Sequence, residues 1–340
     1  MTRSRSAPRP RSDPRLALMR ETDKGSHASG GPGEPAVDGV PTKSAGVPVG
    51  IDWLSAQARS PHTGARRGQP RRVRGWVPAA LLRRGPGSLY RRLKSLEYLA
   101  TRDRAAALGF VMRGLRSGGA AGAARRIQLI GRFTAITNRT RGYHTLGEIL
   151  QVTEEILRRP RPVVLEAGCG HGSSTAKLSL ATRAAGGQLL VFDSFRGLPA
   201  NRERHTHVDG RAIAFRAGAF RATLPAVQRA VAQLGAPEVC CFHKGWFADT
   251  LPALARDPWL DVAVLDVDLI ESTRVCVREL YPRLRPGGVL FTLDGQLRAT
   301  HELLADESFW RAEVGADPLP VVHGLGRDKL VTVLRPSRGI

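Results

Sequence analysis

Cysteine is scarce in this chain: four in 340 residues. Cys169, Cys240, Cys241 and Cys276 show neither CxxC spacing nor a paired His motif, which argues against a disulfide framework and against structural zinc. Their apolar or tight-turn surroundings suit reduced, buried thiols in a cytoplasmic protein. Long hydrophobic runs are missing too. No stretch approaches the ~18 apolar residues of a membrane span, and the opening "MTRSRSAPRPRSDPR" has no apolar segment behind it to make a secretory signal. Pro10, Asp13 and Pro14 oppose an amphipathic transit helix there.

Acid is what the first half lacks. Residues 1–160 carry 30 Lys and Arg against 11 Asp and Glu, a net of +19, while residues 161–340 carry 22 against 19, a net of +3. The basic excess therefore belongs to an arm. Such an arm can bind nucleic acid or an acidic membrane. Its arginines are scattered without aromatic interleaving, so a solvated, disordered extension over 1–75 is the expected reading, and nucleic acid is not the expected partner.

From 76 to 140 the pattern is helical, a segment suited to a lid or to oligomerisation and broken at "RSGGAAG". "TLGEILQVTEEILRR" then predicts an amphipathic helix with Thr145 as cap and Glu148 three residues on. Strands and helices alternate over 141–340. "PVVLEAG", "QLLVFDSF", "EVCCFHKG", "DVAVLDVD" and "GGVLFTLDG" read as strands, and "LPVVHG" with "KLVTVLR" as a closing hairpin. This predicts an α/β domain with a mostly parallel seven-stranded sheet flanked by helices. Ligands of such sheets bind at the carboxyl ends of the strands.

"VVLEAGCGHGSST" places Glu166, Gly168, Gly170 and Gly172 directly after the first strand. The spacing is ExGxGxG, one residue short of a dinucleotide fingerprint. An acid beside the turn is awkward for a pyrophosphate but suits an ammonium, which S-adenosylmethionine carries and NAD does not. Asp193 ends the second strand. It either accepts the two ribose hydroxyls or caps the turn of "DSFRGLP", and the glycine loop upstream favours the ribose.

"VFDSFRGLP", "HKGWFADTLP", "LDVDLIESTRVCVRELYPRLRPGGVLFTLDG" and "GAFRATLPAVQRAVAQLG" resemble the macrocin O-methyltransferase family over roughly residues 141 to 296. The resemblance implies a Rossmann-like class I fold and S-adenosylmethionine-dependent methylation of a hydroxyl on a small molecule, a sugar or polyketide natural product. It implies Glu166, Gly168, Gly170 and Ser174 at the methionine end of the cofactor, Asp193 with Ser194 at the ribose, and Gly245 with Trp246 beside the adenine. Asp266, also next to the cofactor, and Asp294 are implied as ligands of a magnesium ion. Members are often multimeric, which implies a homo-oligomer. The family pattern follows the Asp294 position with a second Asp or Asn, whereas this chain has Gly295, and Ile270 stands where Tyr is frequent.

Removing a proton from a weakly acidic hydroxyl calls for a base or a metal. Asp266 is the expected catalytic group, ahead of His243 and His301. In "AVLDVDLIEST", Asp268 and Glu271 stand three apart at the start of a helix and fit an N-cap and its N3 partner, with Asp268 lending a carboxylate to the site as the other reading. "NRERHTH" reads as a solvated loop, with a mobile lid as the other reading. Two further classes stay open: a nucleic-acid methyltransferase tethered by the basic arm, although no NPPY-type motif appears, and a non-catalytic cofactor-binding protein with a degraded metal site.

Overall fold

The computed structural model describes residues 103–257, 259–326 and 328–337. The basic stretch 1–75 and the first part of the helical segment 76–140 lie outside the described residues. Helix α1, Arg104–Arg139, leaves helical geometry at Gly118 and Gly119, inside the "RSGGAAG" break. Sixteen residues of straight helix would span ~24 Å. Yet the Arg126 guanidinium donates to the Phe110 carbonyl at 3.2 Å and stacks 4.4 Å from the Phe110 ring centre, so the two halves fold back as a helical hairpin.

Helix α2, Leu146–Leu157, starts on the expected capping box: the Glu148 amide donates to the Thr145 hydroxyl at 3.2 Å and the Thr145 amide to Glu148 at 2.7 Å. Buried Asp103 accepts from the next two amides, Leu146 at 3.1 Å and Gly147 at 3.0 Å. The donors that a helix start leaves unpaired thus all find carboxylate or hydroxyl partners.

The chain then runs β1 (Val163–Ala167), α3 (Ser173–Ala184), β2 (Gln188–Asp193), a small hairpin of β3 (His205–Thr206) and β4 (Ala212–Ile213), α4 (Leu224–Leu234), β5 (Cys240–Lys244) and α5 (Phe247–Thr250). After these come β6 (Leu260–Leu265), α6 (Ile270–Leu280), β7 (Leu284–Thr292), α7 (Arg298–Ala305), β8 (Val321–His323) and β9 (Val331–Leu334). The main sheet has seven strands in the order β5-β2-β1-β6-β7-β9-β8. The first five are parallel, and β9 runs antiparallel to both neighbours, so "LPVVHG" and "KLVTVLR" form the expected hairpin. The hairpin β3–β4 had no signal strong enough to predict it.

Phe110, Phe133 and Ile136 of α1 and Ile149 and Ile156 of α2 share one buried cluster with Val164 of β1, Val262 and Val264 of β6 and Val289 of β7. The helical hairpin therefore covers the sheet and does not hang from it. None of the four cysteines is in a disulfide, and only Cys169 and Cys276 are buried. Cys240 and Cys241 are half-exposed, contrary to the expectation, because β5 is an edge strand. No helix among the described residues is long and apolar enough to cross a membrane.

Glu154 of α2 pairs with Arg126, which is also buried, and with Arg113 at 3.0 Å. Burial raises its carboxyl pKa, but the two guanidinium groups outweigh this and hold it below the usual range. Its contribution is thus present at neutral pH and is lost as the solution is acidified through that lowered pKa. Glu154→Gln should cost about 3 kcal/mol at pH 7, because it leaves Arg126 charged and unpaired. Chemical denaturation reads this loss, and the difference from wild type should narrow in acid.

Candidate active site

Strand order reverses between β1 and β6, and the loops at their carboxyl ends touch. The Asp266 amide donates to the Ala167 carbonyl at 3.0 Å. A Cβ on Gly168, which sits at φ +86°, would lie 2.1 Å from the Asp266 carbonyl oxygen. Only glycine lets the two loops approach this closely.

Glu166 on β1 is buried. One carboxyl oxygen accepts the Thr175 hydroxyl at 2.6 Å, and the other has no hydrogen-bond partner among the described residues. Burial pushes its pKa up to about 8, opposed by the Ser174 and Thr175 hydroxyls and assisted by Asp266 and Asp193. A buried carboxyl oxygen without a partner, beside an open glycine loop, fits a bound ammonium. Nothing lies within 4 Å of where a Gly170 Cβ would be.

Asp193 does two jobs. One oxygen accepts from the Cys169 amide at 2.8 Å and the Gly170 amide at 3.3 Å, clamping the glycine loop. The other accepts the Phe195 amide at 2.7 Å, which is the turn cap. A carboxylate has about four acceptor positions, so room for a hydroxyl remains. Ser194 donates to the Gly197 carbonyl at 3.0 Å and accepts from the Arg196 amide at 3.0 Å, so its hydroxyl is engaged within the turn. The Gly245 amide donates to the Asp193 carbonyl at 3.0 Å, which brings Trp246, at the start of α5, to the same end of the sheet.

Asp266, Asp268 and Asp294 each contribute one carboxyl oxygen to a cluster whose atoms all lie within 4.8 Å of one another. Asp294, 1% exposed at the end of β7, accepts both the Val267 amide and the Asp268 amide at 3.0 Å. Burial raises the pKa of all three carboxyls. The other two acids push Asp268 further up, Asp266 adds to the rise of Asp294, and Lys329 pulls each of them back.

This corrects the reading of Asp268 as a helix cap. Asp268 sits in the left-handed region at φ +62°, and α6 starts on Leu269 without a side-chain cap of its own. The cap comes from elsewhere: Glu203 accepts from the Ile270 amide at 2.8 Å and the Glu271 amide at 3.2 Å. Glu271 is exposed. "NRERHTH" is accordingly not a solvated loop. Glu203 lies 3.2 Å from His205, a residue 3% exposed that packs edge-on against Phe215, and the Val208 amide donates to the Gln296 carbonyl at 2.9 Å.

Several groups near the acids carried no local signal. Lys329, just before β9, donates to the Tyr143 carbonyl at 2.5 Å. The nitrogens of His144 and Lys177 lie 2.7 Å apart, with Lys177 2% exposed and its pKa pushed down to about 7 by burial. His144 falls well below the usual histidine range through burial, Lys177 and Lys329. His243 stacks flat on Phe192 at 4.3 Å between β5 and β2, and His301 lies on α7 beside Gly326.

Gly295 has a steric reason. A Cβ there would lie 2.4 Å from a Val331 methyl, 2.6 Å from the Asp328 carbonyl and 2.9 Å from the Lys329 carbonyl. The segment before β9 occupies the space that a second acid would need.

Residues 141–321 match the family model described as Macrocin-O-methyltransferase (TylF), more than half of the chain. This protein belongs to that family. A curated relative from Streptomyces olivaceus, 8-demethyl-8-(2,3-dimethoxy-alpha-L-rhamnosyl)-tetracenomycin-C 4'-O-methyltransferase, is 29% identical over 213 residues, covering 58% of this chain and 78% of the relative. Among solved structures, the O-methyltransferase NovP is 27% identical over 55% of this chain and 78% of its own, with a TM-score of 0.44. The calicheamicin methyltransferase CalS11 is 16% identical over 79% and 99%, also at 0.44. As a macrocin O-methyltransferase family member, the protein is an S-adenosylmethionine-dependent O-methyltransferase.

Gly295→Asp, which writes the usual family residue into this chain, should not add a ligand. It should cost about 2–3 kcal/mol of unfolding free energy through overpacking, and Gly295→Ala should cost nearly as much because the Cβ itself collides. A urea titration of both variants checks this, and an unperturbed midpoint in either would contradict the assigned crowding.

Proposed function

We propose that this enzyme methylates a hydroxyl on a sugar or polyketide natural product, with Glu166 at the cofactor end and the three-acid cluster at the acceptor end of one cleft. The observation that carries this reading is the meeting of the two sites at the β1–β6 switch point, where Gly168 touches Asp266. The Streptomyces olivaceus relative, named for methylating the 4'-oxygen of a rhamnosyl group, supports a sugar hydroxyl as acceptor. Residues 141–340 form the catalytic domain in this reading, with the α1 hairpin packed on it. A small-molecule acceptor, a cytoplasmic setting for four free thiols and a homo-oligomer complete it.

S-adenosylmethionine, when bound, supplies an electrophilic methyl group on a sulfonium. Glu166 would hold its ammonium with Ser174 alongside, Asp193 its ribose, Gly168 and Gly170 would let it approach the backbone, and Gly245 with Trp246 would flank the adenine. Ser194 shapes the turn that carries Asp193. The acid cluster fits magnesium, because three carboxylates supply the hard oxygen donors that the ion requires and one oxygen of each already stands within 4.8 Å of the others. Asp266, Asp268 and Asp294 would hold the ion, and it would lower the pKa of an acceptor hydroxyl.

The protein's own residues supply position and proton transfer. Asp294 fixes the loop after β6 by accepting hydrogen bonds from two backbone amides, so Asp266 and Asp268 are held before substrate arrives. Burial raises the Asp266 carboxyl pKa against the pull of Lys329, which makes it a better proton acceptor than an exposed carboxylate. Lys329 keeps the cluster from carrying three unbalanced charges.

Two measurements test the assignment. Asp266→Asn keeps the backbone contact to Gly168, so cofactor affinity by calorimetry should stay within about threefold while turnover falls at least ~100-fold. Turnover near wild type would remove Asp266 from the chemistry. In the free enzyme Glu166 keeps its proton up to about pH 8, and pairing with an ammonium favours the ionised carboxylate. Binding S-adenosylmethionine at pH 7 should therefore release a proton, and affinity should climb as pH rises from 6 towards 8. Calorimetry in buffers of different ionisation heat reads that proton, and Glu166→Gln should abolish it. Equal heats in all buffers for the wild type would sink the ammonium assignment.

A further inference from the structure

The acid cluster has a cation of its own. Gly295 directly follows Asp294, and its amide donates to the Lys329 carbonyl at 2.9 Å. The Asp328 carbonyl, the Lys329 carbonyl and Val331 crowd the space where a side chain on Gly295 would go. The absence of a side chain at 295 is thus the condition for seating residues 328–331 against the end of β7. That seat brings the Lys329 side chain inward, where its ammonium donates to the Tyr143 carbonyl at 2.5 Å. Tyr143 belongs to the segment leading into α2, so the lysine spans from the C-terminal hairpin to the start of the catalytic domain.

From that position Lys329 interacts electrostatically with Glu148 and with all three clustered acids. Burial opposes its charge, but Glu148, Asp266, Asp294 and Asp268, in that order, outweigh the burial and keep it protonated. Reciprocally, Lys329 pulls down the pKa of Asp266, Asp268, Asp294 and Glu148. Four carboxyl groups thus share one fixed ammonium. Its only hydrogen-bond partner among the described residues is a backbone carbonyl, so no acid is bonded to it directly and the carboxyl oxygens of the cluster stay open to a ligand.

We propose that Lys329 is a tethered counter-cation of the acid cluster that opposes a divalent metal ion at Asp266, Asp268 and Asp294. The inference rests on reading those acids as the metal-capable acceptor site. A divalent ion entering the cluster meets three attractive carboxylates and the repulsion of one nearby ammonium, and in a half-buried recess that repulsion is weakly screened. The chain therefore binds magnesium more weakly than its three carboxylates alone would allow, and the segment seated by Gly295 sets that affinity. On this view the Gly–Lys pair replaces an acidic ligand with an internal positive charge, and the site is not a degraded one.

The test is a titration of the full-length protein with magnesium chloride alone, followed by calorimetry, with melting temperature and S-adenosylmethionine binding as controls for the fold. Lys329→Gln should bind magnesium about tenfold more tightly than wild type or better, Lys329→Arg should stay near wild type, and Asp294→Asn should weaken binding in the Lys329→Gln background. Equal or weaker binding by a folded Lys329→Gln protein, beside measurable wild-type binding, would overturn the competition and leave the metal-capable site standing. Failure of both proteins to bind magnesium at all would overturn the acid-cluster reading, and the competition with it. Should Lys329→Gln not fold, Lys329→Met keeps the packing of the stem and serves the same comparison. If that also unfolds, the wild-type titration decides: saturable binding weaker than about 1 mM upholds the internal cation, while tighter binding or none at all overturns it.

Discussion

One buried carboxylate organises the acid cluster, the proposed acceptor end of this enzyme. With a single oxygen Asp294 accepts the amides of Val267 and Asp268, and this holds the loop after β6 against the end of β7. The hold accounts for the left-handed backbone at Asp268, a conformation that costs energy for a non-glycine residue and persists only where its surroundings fix it. With Asp268 turned this way, its carboxyl group joins Asp266 and Asp294 and is no longer at the start of α6. The amides at that helix start then need another acceptor, and Glu203 supplies it from a segment over sixty residues earlier. Removing the Asp294 carboxylate would loosen the cluster, the kink and the reason for the distant cap together.

How much of this was legible in the sequence follows from the range of the forces involved. Periodicity and apolar runs located all seven strands of the sheet, because burial between neighbours in sequence leaves a local pattern. The capping box at Thr145 and Glu148 was legible for the same reason: both partners lie within one turn. The glycine loop and the acid ending β6 were also visible, as residues that a β-to-α turn places at the carboxyl edge of a sheet. Asp268 was misread because D-x-x-E before a helix is a sound local signal, and the bond that overrides it comes from β7. The segment 201–207 was misread because a run of Arg, Glu and His looks solvated until one knows that Glu203 meets a helix start and that His205 is buried against Phe215.

The two ends of the cleft differ in what builds them. At the proposed cofactor end the determinants are largely backbone: the glycine turn after β1, the amides of Cys169 and Gly170 on Asp193, and the amide of Gly245 on the Asp193 carbonyl. Backbone geometry of this kind follows from the sheet itself, which is why a short sequence string suffices to mark it. The acceptor end is built from side chains that arrive on separate segments, 143–148, 203–207, 266–268, 294–295 and 328–331. No single string contains that combination.

The same division explains why the acceptor end carries so many perturbed ionisable groups. A cleft lined by side chains from separate segments gathers charges that no single segment would tolerate, and burial raises or lowers their pKa values according to sign. Three carboxyls, Glu148 and Lys329 gather at that end, the lysine held charged by the acids, while Lys177 on α3 is pushed down to about 7 beside His144. The contrast is set by partners and not by burial alone, since burial lowers both. Lys329 has four carboxyl groups to oppose the cost of its charge, whereas Lys177 has only an imidazole, which gains nothing from a neighbouring ammonium. Position among charges, fixed by the tertiary fold, decides which of these two lysines is a cation.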